Sequence, residues 1–225
     1  MTKYLKRQSL RIGAFVLLII VYLLNESLLE AATEYAGKNP GLANRFIGVM
    51  LITVAALLVL FTWLYNRQLK RYNPRQFGRK PFTRQRVARL ILAFIIIYVV
   101  QVAWSQLIVH HLLPMPSNQT ELESSIRQLP VWNNIYGVLI APVFEEYIFR
   151  GFFFNFFFAK KSRLSTIFGV LISGLIFGYL HTLSFSVTTL LYASLGWVLA
   201  GTYLYFKDIR YSIALHFLNN LMSLI

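Results

Sequence analysis

Residues 131–158 read VWNNIYGVLIAPVFEEYIFRGFFFNFFF, an apolar run that carries Glu145, Glu146 and Arg150 in its interior. About 20 apolar residues are enough to cross the roughly 30 Å of hydrocarbon in a bilayer. An ionisable side chain at that depth costs on the order of 2.5 kcal/mol or more, so it persists mainly where it faces a polar cavity and has a function. We therefore expect the functional site inside this segment.

Similar apolar runs recur along the whole chain. Hydrophobic residues make up 57% of the 225 positions and charged residues 13%, a composition typical of an integral membrane protein. We predict an all-α, polytopic membrane helix bundle with about seven transmembrane helices and an active site within the membrane. An N-terminal transmembrane region, 1–130, with a basic cytoplasmic loop at 67–87, would precede a catalytic core at 131–225. The predicted spans are 12–31, 45–66, 88–113, 131–158, 165–182, 186–206 and 210–225.

The net charge of +14 by itself fits a nucleic-acid partner, but its distribution indicates a membrane protein. With the N-terminus in the cytoplasm, 18 of the 22 lysines and arginines fall at the cytoplasmic ends of the spans, nine of them between Arg67 and Arg89. This is the positive-inside pattern. It predicts a multi-pass plasma-membrane protein that attracts anionic membrane lipids and binds no nucleic acid.

The N-terminus begins like a secretory signal peptide, with a basic start and an apolar run. No small-residue cleavage site follows until Ala31 and Ala32, so we expect an uncleaved first span. The chain contains no cysteine, which excludes disulfides, thiolate metal sites and a cysteine nucleophile. The polar segment 114–130 is predicted to be an external loop.

The spacing of the two glutamates and the arginine determines which of them share a helix face. Glu146 and Arg150 are four residues apart, so they share one helix face and can pair, whereas Glu145 points about 100° away. One carboxylate is then neutralised locally while the other stays free for chemistry. The alternative interpretation is a structural ion pair beside a second, uncharged glutamate.

Two further polar groups lie on predicted helices of the C-terminal part. Phe177 and His181 end the run LISGLIFGYLH, and His216 and Asn220 share one face of the last helix because they are four residues apart. The glycines of the first region that would allow close helix approach are Gly169, Gly174 and Gly178. Each group also has a structural interpretation. His181 can be an interfacial histidine, and His216 with Asn220 can form a polar contact between membrane helices.

Together these side chains suit hydrolysis of an acyl bond. A glutamate and a histidine can share the proton of an attacking water, and a second histidine and an asparagine can donate hydrogen bonds to the resulting oxyanion. The chain lacks the residues that other classes of intramembrane protease require. There is no HExxH motif, Asp208 is the only aspartate, and Ser173 lacks the first glycine of a GxSG site.

Three ordered motifs resemble those of the CAAX-protease and bacteriocin-processing family, also called the Abi family. Its members are intramembrane proteases related to the type II CAAX prenyl endopeptidases. The motifs are Glu145-Glu146-Tyr147-Ile148-Phe149-Arg150-Gly151, then Phe177 with His181, then His216 with Asn220. Pro142 before the glutamates also matches, and the resemblance covers about residues 131–225.

The resemblance implies that Glu145 activates water with help from His181, and that His216 and Asn220 stabilise the oxyanion. The supporting or substrate-binding residues would be Glu146, Arg150 and Phe177. Because members of the family are often named metalloproteases, zinc is the candidate cofactor, with Glu145, His181 and His216 as its ligands. Activation of water by the glutamate and histidine needs no metal.

The leading hypothesis is an intramembrane endopeptidase. By resemblance, its substrate is a bacteriocin-like or signalling peptide or a CAAX-like protein. The alternative is a non-catalytic membrane protein for bacteriocin self-immunity or regulation of a sensor kinase, with the polar motifs as helix contacts. A transporter is disfavoured because the chain has no repeated half with a matching broken helix.

The depths of the two histidines conflict with straight helices. At about 1.5 Å per residue, His216 lies about 9 Å from Arg210 but His181 lies about 27 Å from Arg163. We therefore expect a tilted or kinked helix after residue 165, or an irregular segment around 181–186. A structure with His181 far from Glu145 would contradict the catalytic assignment.

Overall fold

The computed structural model describes residues 2–222 and residue 224, and every regular element within them is helical. This confirms the all-α prediction. The predicted end of the last span, at residue 225, lies outside the described residues. The helices are α1 (Thr2–Tyr35), α2 (Pro40–Arg71), α3 (Arg84–Val109), α4 (Ser117–Gln128), α5 (130–157), α6 (Arg163–Thr182), α7 (Val187–Phe206) and α8 (Ile209–Met222).

Five helices, α1, α2, α3, α6 and α7, are long and apolar enough to cross a membrane. Their outward faces are apolar and exposed, and in α3 the buried residue is Ile97. Contact between these apolar faces and lipid tails has no energetic cost, whereas contact with water would be unfavourable. The chain is therefore an integral membrane protein. The other two predicted spans correspond to α5, whose backbone is irregular, and to α8, which has 14 residues.

One predicted loop is wrong, because the polar segment 114–130 contains the helix α4. This helix has no buried residues and its sequence is mostly polar, so a search for apolar runs does not reveal it. It contains residues that favour helix formation, such as Glu121, Leu122 and Glu123. α4 lies against α1 and α6.

The basic segments that were predicted to share one side of the membrane meet at one end of the bundle. Arg75, in the loop between α2 and α3, donates to the carbonyl of Phe158 at 2.8 Å and to the hydroxyl of Thr166 at 3.1 Å. Arg11 of α1 donates to the carbonyl of Phe156 at 2.8 Å. These contacts join the basic ends of α1 and α2 to the turn between α5 and α6.

Asp208 ties the same loop to the turn between α7 and α8. Its carboxylate accepts hydrogen bonds from the backbone N–H of Lys80 at 2.8 Å and from Nη2 of Arg210 at 2.6 Å. Burial opposes ionisation, but the bonds from Arg210 and Lys80 hold the pKa of Asp208 below its usual value. This clamp fixes the beginning of α8, the helix that carries His216.

The helices α6 and α7 form an antiparallel pair that packs more closely than any other in the bundle. A Cβ atom on Gly178 would overlap the carbonyl oxygen of Thr189 and lie 2.8 Å from the backbone nitrogen of Ala193. A Cβ atom on Gly174 would lie 2.7 Å from the carbonyl oxygen of Ala193. The close approach predicted for these glycines is confirmed.

The helix α6 is α-helical without interruption from Arg163 to Thr182. Its helical secondary structure therefore has no break after residue 165, and the expected tilt or bend of the helix stays a prediction. Irregular backbone begins at Leu183, which adopts a left-handed conformation with φ of 46° and opens the turn to α7. The main departure from α-helical geometry lies instead in α5, around the two glutamates.

We expect Gly178→Ala to lower the melting temperature of the protein in detergent micelles, because the new methyl group meets the backbone of α7. Gly201→Ala, in α7 itself, is the matched control, since nothing lies within 4 Å of its Cβ position. That variant should keep or raise the melting temperature, because alanine favours a helix over glycine by roughly 0.5–1 kcal/mol. Equal melting temperatures for the two variants would contradict the packing described for α6 and α7.

Candidate active site

The helix α5 has an irregular backbone, and its first π turn directly precedes Pro142. It is π-helical at Tyr136–Ile140 and at Tyr147–Phe152, and α-helical between them. A proline inside an α-helix has no N–H to donate, and its ring clashes with the carbonyl four residues earlier. The wider π turn relieves this clash, and such turns are frequent at functional sites. Glu145 and Glu146 end the short α-helical part.

Glu146 and Arg150 form an ion pair at the centre of the bundle. Arg150 Nη1 lies 2.9 Å from Oε1 of Glu146, and both side chains are fully buried. Nη2 of Arg150 donates to the carbonyl of Gly196 in α7 at 3.1 Å. The guanidinium also lies over the ring of Phe177, 4.7 Å from its centre. The pairing expected from the four-residue spacing is thus confirmed.

His216 connects this ion pair to the second glutamate. Its Nδ1 lies 3.1 Å from Oε1 of Glu146, and its Nε2 lies 3.6 Å from Oε2 of Glu145. A carboxylate paired with an arginine can only accept, so Nδ1 carries a proton and donates it. Arg150, Glu146, His216 and Glu145 therefore form one continuous chain of polar contacts.

The other oxygen of Glu145 is held by a residue from the N-terminal half. The hydroxyl of Tyr22, in α1, donates to Oε1 of Glu145 at 2.9 Å. Tyr22 is 6% exposed and Glu145 is 7% exposed, so the bond is shielded from solvent. No sequence motif pointed to Tyr22, which lies 123 residues before its partner.

His181 lies beside this chain at the end of α6. Its Nδ1 lies 2.8 Å from the carbonyl oxygen of Phe177, which can only accept, so Nδ1 carries the proton and Nε2 the lone pair. Its ring contacts those of Phe177 and Tyr192, with centres 4.2 Å and 5.0 Å away. His181 interacts electrostatically with Glu145 and His216, but among the described residues no hydrogen bond or ion pair joins it to either.

Asn220 is placed by the irregular turn of α5. The N–H of Ala141 bonds to the carbonyl of Tyr136, five residues back, so in this register the carbonyl of Gly137 faces Pro142, which has no N–H. Nδ2 of Asn220 donates to that carbonyl at 2.9 Å. The proline and the asparagine thus act together in docking α8 onto α5.

Comparisons with known proteins give a family match for the part of the chain that carries these residues. Residues 127–222 match the family described as "Type II CAAX prenyl endopeptidase Rce1-like". The C-terminal part of the chain is therefore similar to this CAAX-protease family, and the match covers less than half of the chain. It is also similar to the UPF0177 protein YajF of Lactococcus lactis subsp. lactis strain IL1403, with 25% identity over 174 residues, which are 74% of this chain and 77% of the relative. No solved structure matches it significantly.

The part that matches the CAAX-protease family contains every site residue that the sequence predicted, from Glu145 to Asn220. In the structure, direct contacts join Glu145, Glu146, Arg150 and His216 into one chain. The remaining predicted site residues lie beside this chain. Phe177 links the two histidines, because its ring lies 5.8 Å from that of His216 and 4.2 Å from that of His181. Tyr22, which contacts Glu145, lies outside the part of the chain that matches the family.

The expected zinc ligands were Glu145, His181 and His216. Among residues 2–222, no group of three histidine, aspartate or glutamate side chains is arranged to hold a metal ion. Glu145 and His216 bring two ligand atoms to within 3.6 Å of each other, but His181 does not complete the set with them. The donor set therefore does not fit zinc, and the chemistry below uses the side chains alone.

We expect Glu146→Gln to destabilise the protein by about 3–5 kcal/mol, because it leaves the buried charge of Arg150 without a counterion. Thermal unfolding in detergent micelles measures this effect. Adding Arg150→Met to the same variant should restore part of the loss, since it removes the unpaired charge.

Glu34→Gln is the matched control for that prediction. It removes another glutamate from a four-residue ion pair, with Lys38 at 3.1 Å, but both of these side chains are about two-thirds exposed. Exposed pairs contribute little, so the melting temperature should not change measurably. A similar response of the two variants would show that burial of the Glu146 pair has no energetic role.

Proposed function

We propose that this chain is an intramembrane endopeptidase that hydrolyses a peptide bond with water activated by Glu145 and His181. The observation that carries the proposal is the buried polar chain from Arg150 through Glu146 and His216 to Glu145. Charged groups at this depth are expensive, and a purely structural pair would need only two of them. Four linked groups with a second histidine beside them supply what acyl hydrolysis requires.

Glu145 is the proposed general base. Its Oε1 is taken by Tyr22, so Oε2 is the oxygen available to the water. His181 offers a second acceptor, because the Phe177 carbonyl holds the proton on Nδ1 and leaves the lone pair on Nε2. A water between these two atoms would find an acceptor on either side.

Glu146 and Arg150 are proposed to orient His216. A catalytic imidazole works best when a third group fixes its ring and its tautomer, as the acid of a catalytic triad does. Glu146 meets this need by accepting from Nδ1 of His216 at 3.1 Å, and Arg150 holds Glu146 in turn at 2.9 Å. Phe177 supports both by lying under the guanidinium.

The proposed reaction has two steps. In the first, the water oxygen bonds to the scissile carbonyl carbon, its proton passes to Glu145, and the carbonyl oxygen becomes an oxyanion. In the second, the carbon–nitrogen bond breaks, Glu145 returns the proton to the leaving amine nitrogen, and the oxyanion collapses to a carboxyl group. A doubly protonated His216 and the amide of Asn220 would donate hydrogen bonds to the oxyanion.

The substrate we propose is a membrane-associated peptide or protein, either a CAAX-like chain or a bacteriocin-like or signalling peptide. A CAAX-like chain is the substrate class that the name of the matching family indicates. The catalytic core would be 131–225, served by the N-terminal transmembrane region 1–130. With the N-terminus cytoplasmic, the basic end of the bundle would face anionic lipids of the plasma membrane.

The test uses purified protein in lipid nanodiscs and an internally quenched peptide that ends in a farnesylated Cys-aliphatic-aliphatic-X sequence. Glu145→Gln and His181→Ala should each lower kcat/KM by about 100-fold or more, as loss of a general base does. Glu30→Gln and His110→Ala are the matched controls, because they make the same changes at side chains that are exposed. These controls should cleave the peptide like wild type.

The same variants expressed in cells test the alternative function. If both site variants accumulate in the membrane and still support self-immunity or sensor-kinase regulation, hydrolysis is not the function and the polar motifs act as helix contacts. If they accumulate but lose peptide processing, the hydrolytic proposal holds. Membrane abundance must be measured in both cases.

A further inference from the structure

Tyr22 of α1 contacts the proposed base from outside the sequence motifs. Its hydroxyl donates to the carboxylate of the proposed base, Glu145, at 2.9 Å, and the phenol is 6% exposed. A hydrogen bond to a charged acceptor is about twice as strong as a neutral one. A buried phenol can also donate its hydrogen bond to a backbone carbonyl. Its donation to this carboxylate therefore points to a specific function of the contact.

The surroundings of Tyr22 hold the phenol in place. Its ring packs against Phe144, with ring centres 6.0 Å apart. One turn further along α1, Asn25 donates to the hydroxyl of Thr53 at 2.6 Å and to the carbonyl of Met50 at 3.2 Å, which fixes α1 to α2. The hydroxyl of Tyr136 donates to Asn25 at 3.1 Å and fixes α1 to α5.

The two oxygens of Glu145 thereby acquire different environments. Oε1 accepts from Tyr22, and Oε2 lies 3.6 Å from Nε2 of His216. A carboxylate that is free to rotate would present either oxygen to a water, in many orientations. One fixed donor on Oε1 removes that freedom and keeps Oε2 turned toward the histidine.

We propose that Tyr22 is a positioning residue of the hydrolytic site, whose hydroxyl fixes the plane of Glu145 and reserves Oε2 for the attacking water. This inference rests on the proposed function. Tyr22 transfers no proton and does not touch substrate. The site is then assembled from both halves of the chain, with its base held by a helix outside the part that matches the family.

The kinetic test compares Tyr22→Phe with Tyr65→Phe on the farnesylated quenched peptide. Both changes remove one buried hydroxyl, but only that of Tyr22 bonds to Glu145, whereas that of Tyr65 contacts the hydroxyl of Tyr203 at 3.0 Å. Tyr22→Phe should lower kcat about 10- to 100-fold and leave KM within about twofold, because the base is misaligned while the binding surface is intact. Tyr65→Phe should keep kcat, and unchanged kcat in Tyr22→Phe would overturn the proposal.

A second measurement needs no turnover. An apolar carbodiimide modifies membrane-buried carboxyl groups, and mass spectrometry of the digested protein gives the rate at Glu145. Without the hydroxyl on Oε1, Tyr22→Phe should be modified several times faster than wild type, whereas Tyr65→Phe should match wild type. A melting temperature within a few degrees of wild type shows that the variant is folded.

The two measurements separate the possible failures. Equal modification rates at Glu145 in wild type and Tyr22→Phe would overturn the positioning role, whatever the peptide does. If Tyr22→Phe is modified faster but the wild type cleaves no peptide, the hydrogen bond between Tyr22 and Glu145 exists but the protein is not a hydrolase. That result would overturn the hydrolytic function and, with it, the positioning role. Faster modification with a loss of kcat would support both.

Discussion

The buried ion pair between Glu146 and Arg150 is the constraint on which the rest of the structure depends. Two charges without water around them are tolerated only with good geometry and further hydrogen bonds. The neighbouring helices provide these, through the ring of Phe177 in α6, the carbonyl of Gly196 in α7 and the imidazole of His216 in α8. The contacts that make the charges tolerable are therefore the same contacts that assemble the candidate site.

Small residues and irregular turns bring the polar groups within reach of one another. A Cβ atom on Gly196 would lie 2.9 Å from the Cα atom of Gly174, so α6 and α7 can approach closely enough to turn the Gly196 carbonyl toward Arg150 only because both residues are glycines. In α5, Pro142 leaves a carbonyl without its helical partner, and Asn220 of α8 supplies the missing donor. Local departures from ideal helix geometry thus become docking points between helices.

The helices and the paired charges could be predicted from the sequence, because both depend on short-range patterns. Apolar runs give the long helices to within about five residues, except that α1 begins ten residues before the predicted span. A four-residue spacing gives the Glu146–Arg150 pair. The π turns around the glutamates could not be predicted, since a fixed period of 3.6 residues assumes a regular helix. The helix α4 was missed because it buries nothing. The partners of His181 depend on how α6 meets α7, which no local pattern encodes.

Tyr22 shows most clearly where local patterns end. The sequence motifs gave Glu145 one proposed helper, His181 of α6, and pointed to no residue of α1. The structure provides a hydrogen-bond donor to Glu145 from α1, which Asn25 fixes to α2 and Tyr136 fixes to α5. If Glu145 is the base, its orientation depends on a helix with no motif of its own. A fragment limited to 127–222 would then keep every motif residue and lose the group that aims the base.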